Sequence, residues 1–509
     1  MKKILLLISS LVVLLTFTAC GGGEKKTEVK VKDTLVVAQP SDAKSLDPHA
    51  TNDQPSSRVT TQIYNGLVTT DADMNVLPAL AESWEQPDSK TTIFHLRKGV
   101  KFHNGDEVKA SDVKFSIERL FASPQTNEII EPLDKIEVLD DYTVKLTTTE
   151  PFGPLLFHLA HGAAAVLSEK AVTESGADYG QNPVGTGPYK FVKWESGDKV
   201  VLVANDDYYL GAPAIKNVIF RNIVEGTNRT IGLETGEIDI AYDIEPIDIK
   251  QVQGDEDLDL VESESLSMAY IGFNFNKAPF DNKLVRKAIA HAIDVDLIID
   301  VVLDGAGVKA NSPIGPKVFG YSKTAKSYDF NPELAKKMLA EAGYADGFTT
   351  SLWTNDNPIR LQIATIMQDQ LKQVGIEMSV EPIEWGAYLD GTARGEHEMF
   401  ILGWGTTTAD GDYGLNALFN TATQGGPGNR SFYSNKNVDK WLEEGRTSVD
   451  KKVRMEAYAK VQDQLMEDLA VDPLYYQTIN VGMSKDVKGF ILDPAGAHKI
   501  FGVHFAPQK

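Results

Sequence analysis

The stretch NPELAKKMLAEAGYADGFTTSLWTNDNPIRLQIATIMQDQLKQVGIEMSVEPI, residues 331–383, alternates between helical and strand periodicity. Its first part predicts a helix, because Asn331 can cap it, Pro332 fits the first turn and Gly343 can end it. The β-rich run TTSLWT follows, then an amphipathic segment at 359–375 and a second β-rich run. Strand, helix and strand in this order predict a parallel βαβ crossover.

The same alternation continues on both sides of this stretch. Amphipathic patterns predict further helices at 111–121, 283–303 and 450–470, and β-rich runs predict strands at 34–38, 92–96, 142–148, 200–204 and 217–223. Residues from about 60 to 260 are richer in β-forming runs, which suggests a different, partly antiparallel region. We therefore expect mixed α/β domains, and 509 residues predict two or three of them.

Composition narrows the class of protein. The hydrophobic content of 42% and the charged content of 24% are those of a globular chain. The formal net charge of -22 argues against a nucleic-acid partner, whose phosphates would be repelled. GTGPYK at 185–190 lacks the spacing and the Lys-Ser/Thr pair of a phosphate-binding loop.

The N-terminus has the layout of an export signal. Lys2 and Lys3 precede an apolar run, which predicts a signal peptide over residues 1–19. Cys20 is the single cysteine, so it cannot form an internal disulfide, and FTAC before three glycines resembles a bacterial lipobox, apart from Phe17. We predict that Cys20 is the lipid attachment site and that residues 20–32 form a flexible tether, plain cleavage being the alternative.

Several ordered blocks resemble the bacterial extracellular solute-binding protein family 5, the receptors that supply ABC importers with peptides, glutathione or nickel chelates. The most specific is LPALAESWEQPDSKTTIFHLRKGVKFHNGDEVKASDVKFSIERL, residues 77–120. The others are NPVGTGPYKFVKWESGDKVVLVANDDYYLGAP (182–213), FNFNKAPFDNKLVRKAIAHAID (273–294) and YDFNPELAKKMLAEAGY (328–344). Together they span nearly all of the chain that follows the signal.

The resemblance implies a fold and a division of the chain. The expected fold is a two-lobed α/β clamp of the type II periplasmic-binding-protein class with an extra β-rich subdomain. The implied division is lobe I over 33–60, 182–268 and 479–509, an inserted subdomain over 61–181, and lobe II over 269–478. Ligand would bind between the lobes, which close over it.

The implied function is that of an extracytoplasmic receptor of an ABC importer that captures di- or oligopeptides, or glutathione-like peptides. Its partners would be permease and ATPase subunits, with the membrane reached through the lipid. We expect a monomer at the outer face of the cytoplasmic membrane or in the periplasm, with no enzymatic activity. The alternatives are the same fold binding a nickel chelate, haem or an oligosaccharide, or an extracellular peptidase.

Metal and catalytic motifs are weak. DADMNVLPALAE (71–82) has acids at calcium-loop positions, but Val76 stands where the loop needs glycine, so we interpret it as a turn. His158 and His161 have helical spacing, yet no further ligand joins them. No Gly-x-Ser-x-Gly elbow is present. We therefore predict neither a metal site nor a cofactor.

A peptide carries an ammonium and a carboxylate, and a water-poor site must pair both. An acid, an arginine and aromatic walls are therefore expected. The loop in LWTNDNPIRLQIA (352–364) resembles the family segment that places a carboxylate-binding arginine, which implies this role for Arg360, an exposed helix arginine being the alternative. EWGAYLD (384–390) resembles a wall segment, which implies Trp385 and Tyr388.

The run ILGWGTTTADGDYG (401–414) resembles the strand end after which peptide receptors place an ammonium-binding aspartate. This implies ligand contacts for Trp404 and for Asp410 or Asp412. The dipeptide-type spacing Trp-x-x-Asp is absent, and the pattern is more similar to the glutathione-type branch. Two solvated acids in a turn are the alternative. A further cleft-side loop, NRSFYSN (429–435), adds three weaker candidates: Asn429, Arg430 and Tyr433.

Overall fold

The computed structural model describes residues 32–507, with the exception of 52, 131, 426 and 427. The predicted signal peptide, the lipid site at Cys20 and nearly all of the tether lie outside the described residues. In the part of the chain that is described, no helix has both the length and the apolar character that crossing a membrane requires.

Strands and helices alternate through most of the chain, as predicted for a mixed α/β protein. The strands are β1 Thr34–Gln39, β2 Val68–Thr70, β3 Val76–Pro78, β4 Ala81–Asp88, β5 Thr91–Leu96, β6 Leu133–Asp140, β7 Thr143–Thr148, β8 Tyr189–Glu195, β9 Lys199–Ala204, β10 Asn217–Asn222, β11 Ile240–Ala241, β12 Leu258–Phe273, β13 Gly307–Lys309, β14 Phe348–Asn355, β15 Ile376–Ile383, β16 Met399–Gly405, β17 Val471–Ser484, β18 Val487–Lys488 and β19 His504–Phe505.

The α-helices are α1 Gln54–Ile63, α2 Ala110–Ala122, α3 Leu155–Leu159, α4 Glu169–Ser175, α5 Gly226–Glu234, α6 Ile249–Gly254, α7 Lys283–Ala292, α8 Val295–Val302, α9 Pro332–Glu341, α10 Pro358–Lys372, α11 Trp385–Ala393, α12 Ala417–Phe419, α13 Lys436–Thr447 and α14 Lys451–Asp468. A π-helical turn, Asp412–Asn416, precedes α12.

The helix expected over 283–303 is two helices, α7 and α8. The break follows from a cap inside the apolar pattern, because the Asp294 side chain accepts a hydrogen bond from Leu297 N and starts the second helix. The βαβ unit of the opening stretch is present: β14 and β15 pair in parallel, and α10 connects them.

One large sheet runs through most of the described chain, with the strand order β15-β14-β16-β12-β17-β11-β1-β10-β9-β8. Its two longest strands, β12 and β17, pair along most of their length. Their register shifts between Glu264 and Met268, where three residues of β12 lie opposite Gln477 alone. On one side of this bulge β17 pairs with β11, and on the other side β12 pairs with β16.

A separate four-stranded antiparallel sheet, β4-β5-β7-β6, has its own apolar core around Phe94, Ile117 and Val144. We call residues 61–181, which contain this sheet, the insert. We call residues 269–478 the second lobe, after the predicted limits. Apolar clusters around Ile271 and Tyr270 cover opposite faces of the second-lobe part of the large sheet. The exact domain limits stay a prediction.

Candidate functional site

Three strands of the second lobe end at one edge of the sheet. β14 pairs in parallel with β15 and with β16, so their carboxyl ends lie side by side. The segments that leave β14 and β15 carry Arg360 and Trp385, and Trp404 lies near the end of β16 itself. The carboxyl edge of parallel strands is where α/β sheets usually bind ligands. The topology therefore brings together three of the residues predicted from separate stretches of sequence.

Arg360 lies in the first turn of α10, whose N-cap is Asn357. Its Nη1 donates to Asn355 Oδ1 at 2.9 Å, and its guanidinium lies 5.9 Å from the ring centroid of Trp385. The side chain is half-buried, and no carboxylate among the described residues lies within ion-pair distance of it. A partly desolvated cation without an internal carboxylate is suited to an anionic group from outside the chain.

Gly403, near the end of β16, lies close to this arginine. A Cβ atom at this position would lie 3.5 Å from Arg360 Nη2 and 3.9 Å from Gln477 Nε2. The two donors therefore converge on the end of β16. Gln477 belongs to β17 and is exposed at the bulge, and no sequence motif pointed to it.

The two predicted wall aromatics lie on α11, and they differ in exposure. Trp385 is 44% exposed and stacks on Tyr388, with 5.9 Å between ring centroids and 18° between ring planes. Tyr388 is fully buried, donates to Ile401 O at 2.8 Å, and has a pKa raised by burial. Trp385 is thus the surface that a ligand can contact, and Tyr388 supports it from beneath.

Trp404 is half-buried at the end of β16, and its ring lies 5.7 Å from that of Tyr413. Its Nε1 is buried and has no hydrogen-bond partner among the described residues. In the loop that follows, Thr407 is exposed while its neighbours Thr406 and Thr408 are buried. Thr407, three residues after the tryptophan, is therefore the residue that this loop presents at its surface.

Asp410 points into the second lobe. It is 0% exposed, and Arg454 Nη2 donates to both of its oxygens, at 2.7 and 2.9 Å. The same arginine donates to Tyr458 Oη at 3.1 Å and through Nε to Gly445 O at 2.8 Å. The positive group that faces this acid in the structure is therefore an arginine of the chain itself, on helix α14.

Asp412 has a similar partner on α13. Its Oδ2 accepts from Arg446 Nη1 at 2.9 Å, while its Oδ1 is buried and has no partner among the described residues. Burial raises the pKa of Asp412 to about 6, although Arg446 favours the charged form. The alternative of two solvated acids does not hold, because both carboxyl groups are buried. A ligand contact by either acid stays a prediction.

The side chains of the three weaker candidates make hydrogen bonds within the second lobe. Asn429 donates to Asn420 O and Tyr433 O, which holds its own loop together. Tyr433 donates to Asp468 Oδ2 at 2.8 Å. Arg430 is buried and donates to Leu389 O and Thr392 Oγ1. Each side chain thus has internal partners, and a ligand role for them stays untested.

Ordinary contacts account for the other motifs. Asp71 Oδ1 accepts from the backbone amides of Asp73 and Asn75, which is a turn rather than an ion loop. His158 is buried with Nδ1 2.8 Å from Ile129 O, and His161 accepts from Ala163 N. Among the described residues, no three His, Cys, Asp or Glu side chains are grouped to hold a metal ion.

Comparison with known proteins gives consistent similarities. Residues 75–426 match the family described as bacterial extracellular solute-binding proteins, family 5. The chain is 35% identical over 473 residues to the glutathione-binding protein GsiB of Pectobacterium atrosepticum, covering 90% of this chain and 91% of the relative.

Two solved structures are similar over almost their whole length. HbpA2 of Haemophilus parasuis has a TM-score of 0.86 and 30% identity, with coverage of 93% and 100%. The periplasmic binding protein DppA of Helicobacter pylori, in complex with the peptide STSA, has a TM-score of 0.79 and 32% identity, with coverage of 94% and 99%. The predicted α/β clamp fold is confirmed. The chain therefore belongs to the bacterial extracellular solute-binding proteins of family 5.

Proposed function

We propose that this protein is the extracytoplasmic receptor of an ABC importer and that it captures short peptides, glutathione-like peptides first among them. The ligand would bind between the lobes, at the carboxyl edge formed by β14, β15 and β16. Similarity to a glutathione-binding protein and to a peptide-bound receptor supports this ligand class.

The observation that carries the proposal is the state of Arg360. Its guanidinium is half-buried, has no carboxylate partner among the described residues, and lies beside an exposed tryptophan face and a glycine. A ligand carboxylate would complete a two-pronged hydrogen-bonded pair with it. Trp385 would cover the adjacent part of the ligand, and Gln477 would donate a further hydrogen bond.

The ligand ammonium would need an acceptor other than Arg360 and its neighbours. Asp410 has both oxygens bonded to Arg454, whereas Asp412 keeps one oxygen without a hydrogen-bond partner. Asp412 is therefore the acid for which we propose the ammonium contact. Thr407, at the exposed position of the same loop, would offer a neutral hydroxyl acceptor in place of a carboxylate.

Export and lipid anchoring are part of the proposal. The charged head, apolar run and Cys20 of the N-terminal sequence support a lipoprotein at the outer face of the cytoplasmic membrane or in the periplasm. It would deliver its ligand to permease and ATPase partners. Metabolic labelling with a radioactive fatty acid tests the anchor. Label is expected in the wild-type protein and is expected to be lost in Cys20→Ala.

Isothermal titration calorimetry with reduced glutathione, glutathione disulfide and a dipeptide tests the ligand class. Arg360→Gln is expected to weaken binding of the recognised ligand about 10- to 100-fold, because a charge-assisted hydrogen bond contributes about 1.5–3 kcal/mol. Arg394→Gln is the matched control, since Arg394 is an exposed second-lobe arginine paired with Glu396. Equal affinity of Arg360→Gln and wild type would contradict the role of this arginine.

Mass spectrometry of ligand released by denaturation gives an independent test. A peptide or glutathione is expected in the released fraction. A metal chelate or a sugar would instead contradict the ligand class while leaving the receptor function intact. Cleavage products from a peptide mixture incubated with the protein would contradict the receptor function itself.

A further inference from the structure

The insert contacts the second lobe directly. This contact is made by residues that are distant in sequence from the bulge in β12 and β17. The segment PFGP, residues 151–154, lies against the end of α13 and the start of α14. Gly153 N donates to Arg446 O at 2.8 Å, and the Arg446 guanidinium lies 5.1 Å from the ring centroid of Phe152. The same guanidinium donates to Asp412 Oδ2 through Nη1.

Two further contacts flank this one. The rings of Phe157 and Phe319 lie 5.5 Å apart, with the guanidinium of Arg454 4.8 Å from the Phe319 ring. Two residues before Phe319, Lys317 Nζ lies 2.9 Å from Asp73 Oδ1. Arg446 Nε also lies 3.8 Å from Glu150 Oε1 of the insert. The contact therefore combines a backbone hydrogen bond, an aromatic pair and two ion pairs between regions that are distant in sequence.

Gly153 has a steric role in this contact. A Cβ atom at Gly153 would lie 2.0 Å from Ser448 O, 2.8 Å from Arg454 Nε and 2.9 Å from Arg454 Cδ. All of these atoms belong to the second lobe, and the φ angle of Gly153 is not in the left-handed region. The nearest atoms that a methyl group at Gly153 would meet therefore lie across the contact, and the backbone conformation of Gly153 is open to alanine.

We propose that this contact is a clasp, in which the insert locks onto the second lobe at Gly153 when the receptor closes. On the second-lobe side of this contact, Arg454 and Arg446 donate to Asp410 and Asp412. The clasp is formed by segments other than β12 and β17, so it would act as a second point of closure. This inference rests on the proposed receptor function only in that a ligand favours the closed form.

Gly153→Ala is the decisive variant, because its Cβ would force the two surfaces apart by about 1 Å or more. Gly162→Ala is the matched control, since a Cβ at Gly162 meets nothing within 4 Å and its φ is also outside the left-handed region. Lys317→Glu is a second variant, which would place two acids together and loosen the contact without adding bulk. Circular dichroism of each variant checks that it is folded.

Double electron–electron resonance measures the distance between two spin labels, one on Asp134→Cys in the insert and one on Lys440→Cys in the second lobe. Both positions are exposed, and the background is Cys20→Ser. The wild type, ligand-free or saturated with glutathione or a peptide mixture, is expected to show a short-distance population that Gly153→Ala loses and Gly162→Ala keeps. Lys317→Glu is expected to reduce it.

The proposal is overturned if Gly153→Ala retains the short-distance population, or if the wild type shows none under either condition. For a ligand that binds, Gly153→Ala is expected to increase the dissociation rate at least tenfold. Failure of the ligand assignment can be distinguished from failure of the clasp. If only the ligand assignment is wrong, calorimetry detects no binding of glutathione or peptides, but the distance measurement still differs between the two glycine variants.

Discussion

Asp410→Asn tests whether the acid in the loop after β16 serves the fold or the ligand. The substitution keeps the shape of the side chain and removes its charge, while Arg454 stays 2% exposed. Removing one partner of a buried ion pair leaves the other charge without compensation and costs about 3–5 kcal/mol. For a region of roughly 200 residues, this lowers the melting temperature by about 8–15 °C.

Differential scanning calorimetry measures the melting temperature, and titration at low temperature measures the affinity of the folded protein. We expect a large loss of stability and an affinity within about twofold of wild type. Asp369→Asn is the control, because Asp369 is an exposed second-lobe acid, and it is expected to change the free energy of unfolding by less than about 0.5 kcal/mol.

A double-mutant cycle isolates the pair. Arg454→Gln in the Asp410→Asn background removes the uncompensated buried charge, so the double variant is expected to recover about 1–3 kcal/mol relative to additivity. If Asp410→Asn instead melts within about 2 °C of wild type and binds its ligand at least tenfold more weakly, the acid serves the ligand and the structural reasoning is refuted.

Three further predictions concern other residues. Burial raises the pKa of Asp472 from 3.8 to about 7, so the folded state binds its proton more tightly than the unfolded state and this group costs stability as pH rises from about 4 to 7. The free energy of unfolding of Asp472→Asn, relative to that of wild type, is therefore expected to be about 2–3 kcal/mol larger at pH 8 than at pH 5, as measured by urea unfolding. The same difference between variant and wild type at both pH values would contradict this. Trp385→Ala is expected to weaken ligand binding about 5- to 50-fold in calorimetry with little change in melting temperature, because the ring is 44% exposed, whereas a cooperative loss of stability would mean that it is a core residue. Thr407→Asp is expected to raise affinity for a free dipeptide more than for its N-acetylated form, since it places a carboxylate at the exposed position of the loop; equal effects on both would show that this position does not face the ammonium.

The sequence predicted the elements that local patterns specify. The caps and periodicity of residues 331–383 correctly predicted α9, β14, α10 and β15, and the family blocks predicted the clamp fold that the comparisons confirm. A local pattern also misled: the apolar stripe over 283–303 continues through Asp294, whose capping bond divides the helix.

The partners of the acidic loop could not be predicted, because they are long-range. Arg454 lies 44 residues after Asp410, and Arg446 lies 34 residues after Asp412, each on a helix that a spacing rule does not connect to the loop. Gln477 was missed for the same reason, since only the pairing of β17 with β12 brings it near Gly403. Arg360, in contrast, lies in a local strand–loop–helix segment, and the resemblance of that segment to the family implied its role, which stays a prediction.

The bulged pair of β12 and β17 has a thermodynamic consequence for capture. Both connections that cross between the predicted lobes here are strands of one hydrogen-bonded sheet, rather than free linkers. Ordering a residue costs about 1–2 kcal/mol of conformational entropy, and a ladder that is already formed requires no such ordering when the protein closes. In the proposed closure, bending at the bulge would therefore use little of the ligand's interaction energy for ordering the chain, which would favour tight binding of a small solute with few contacts.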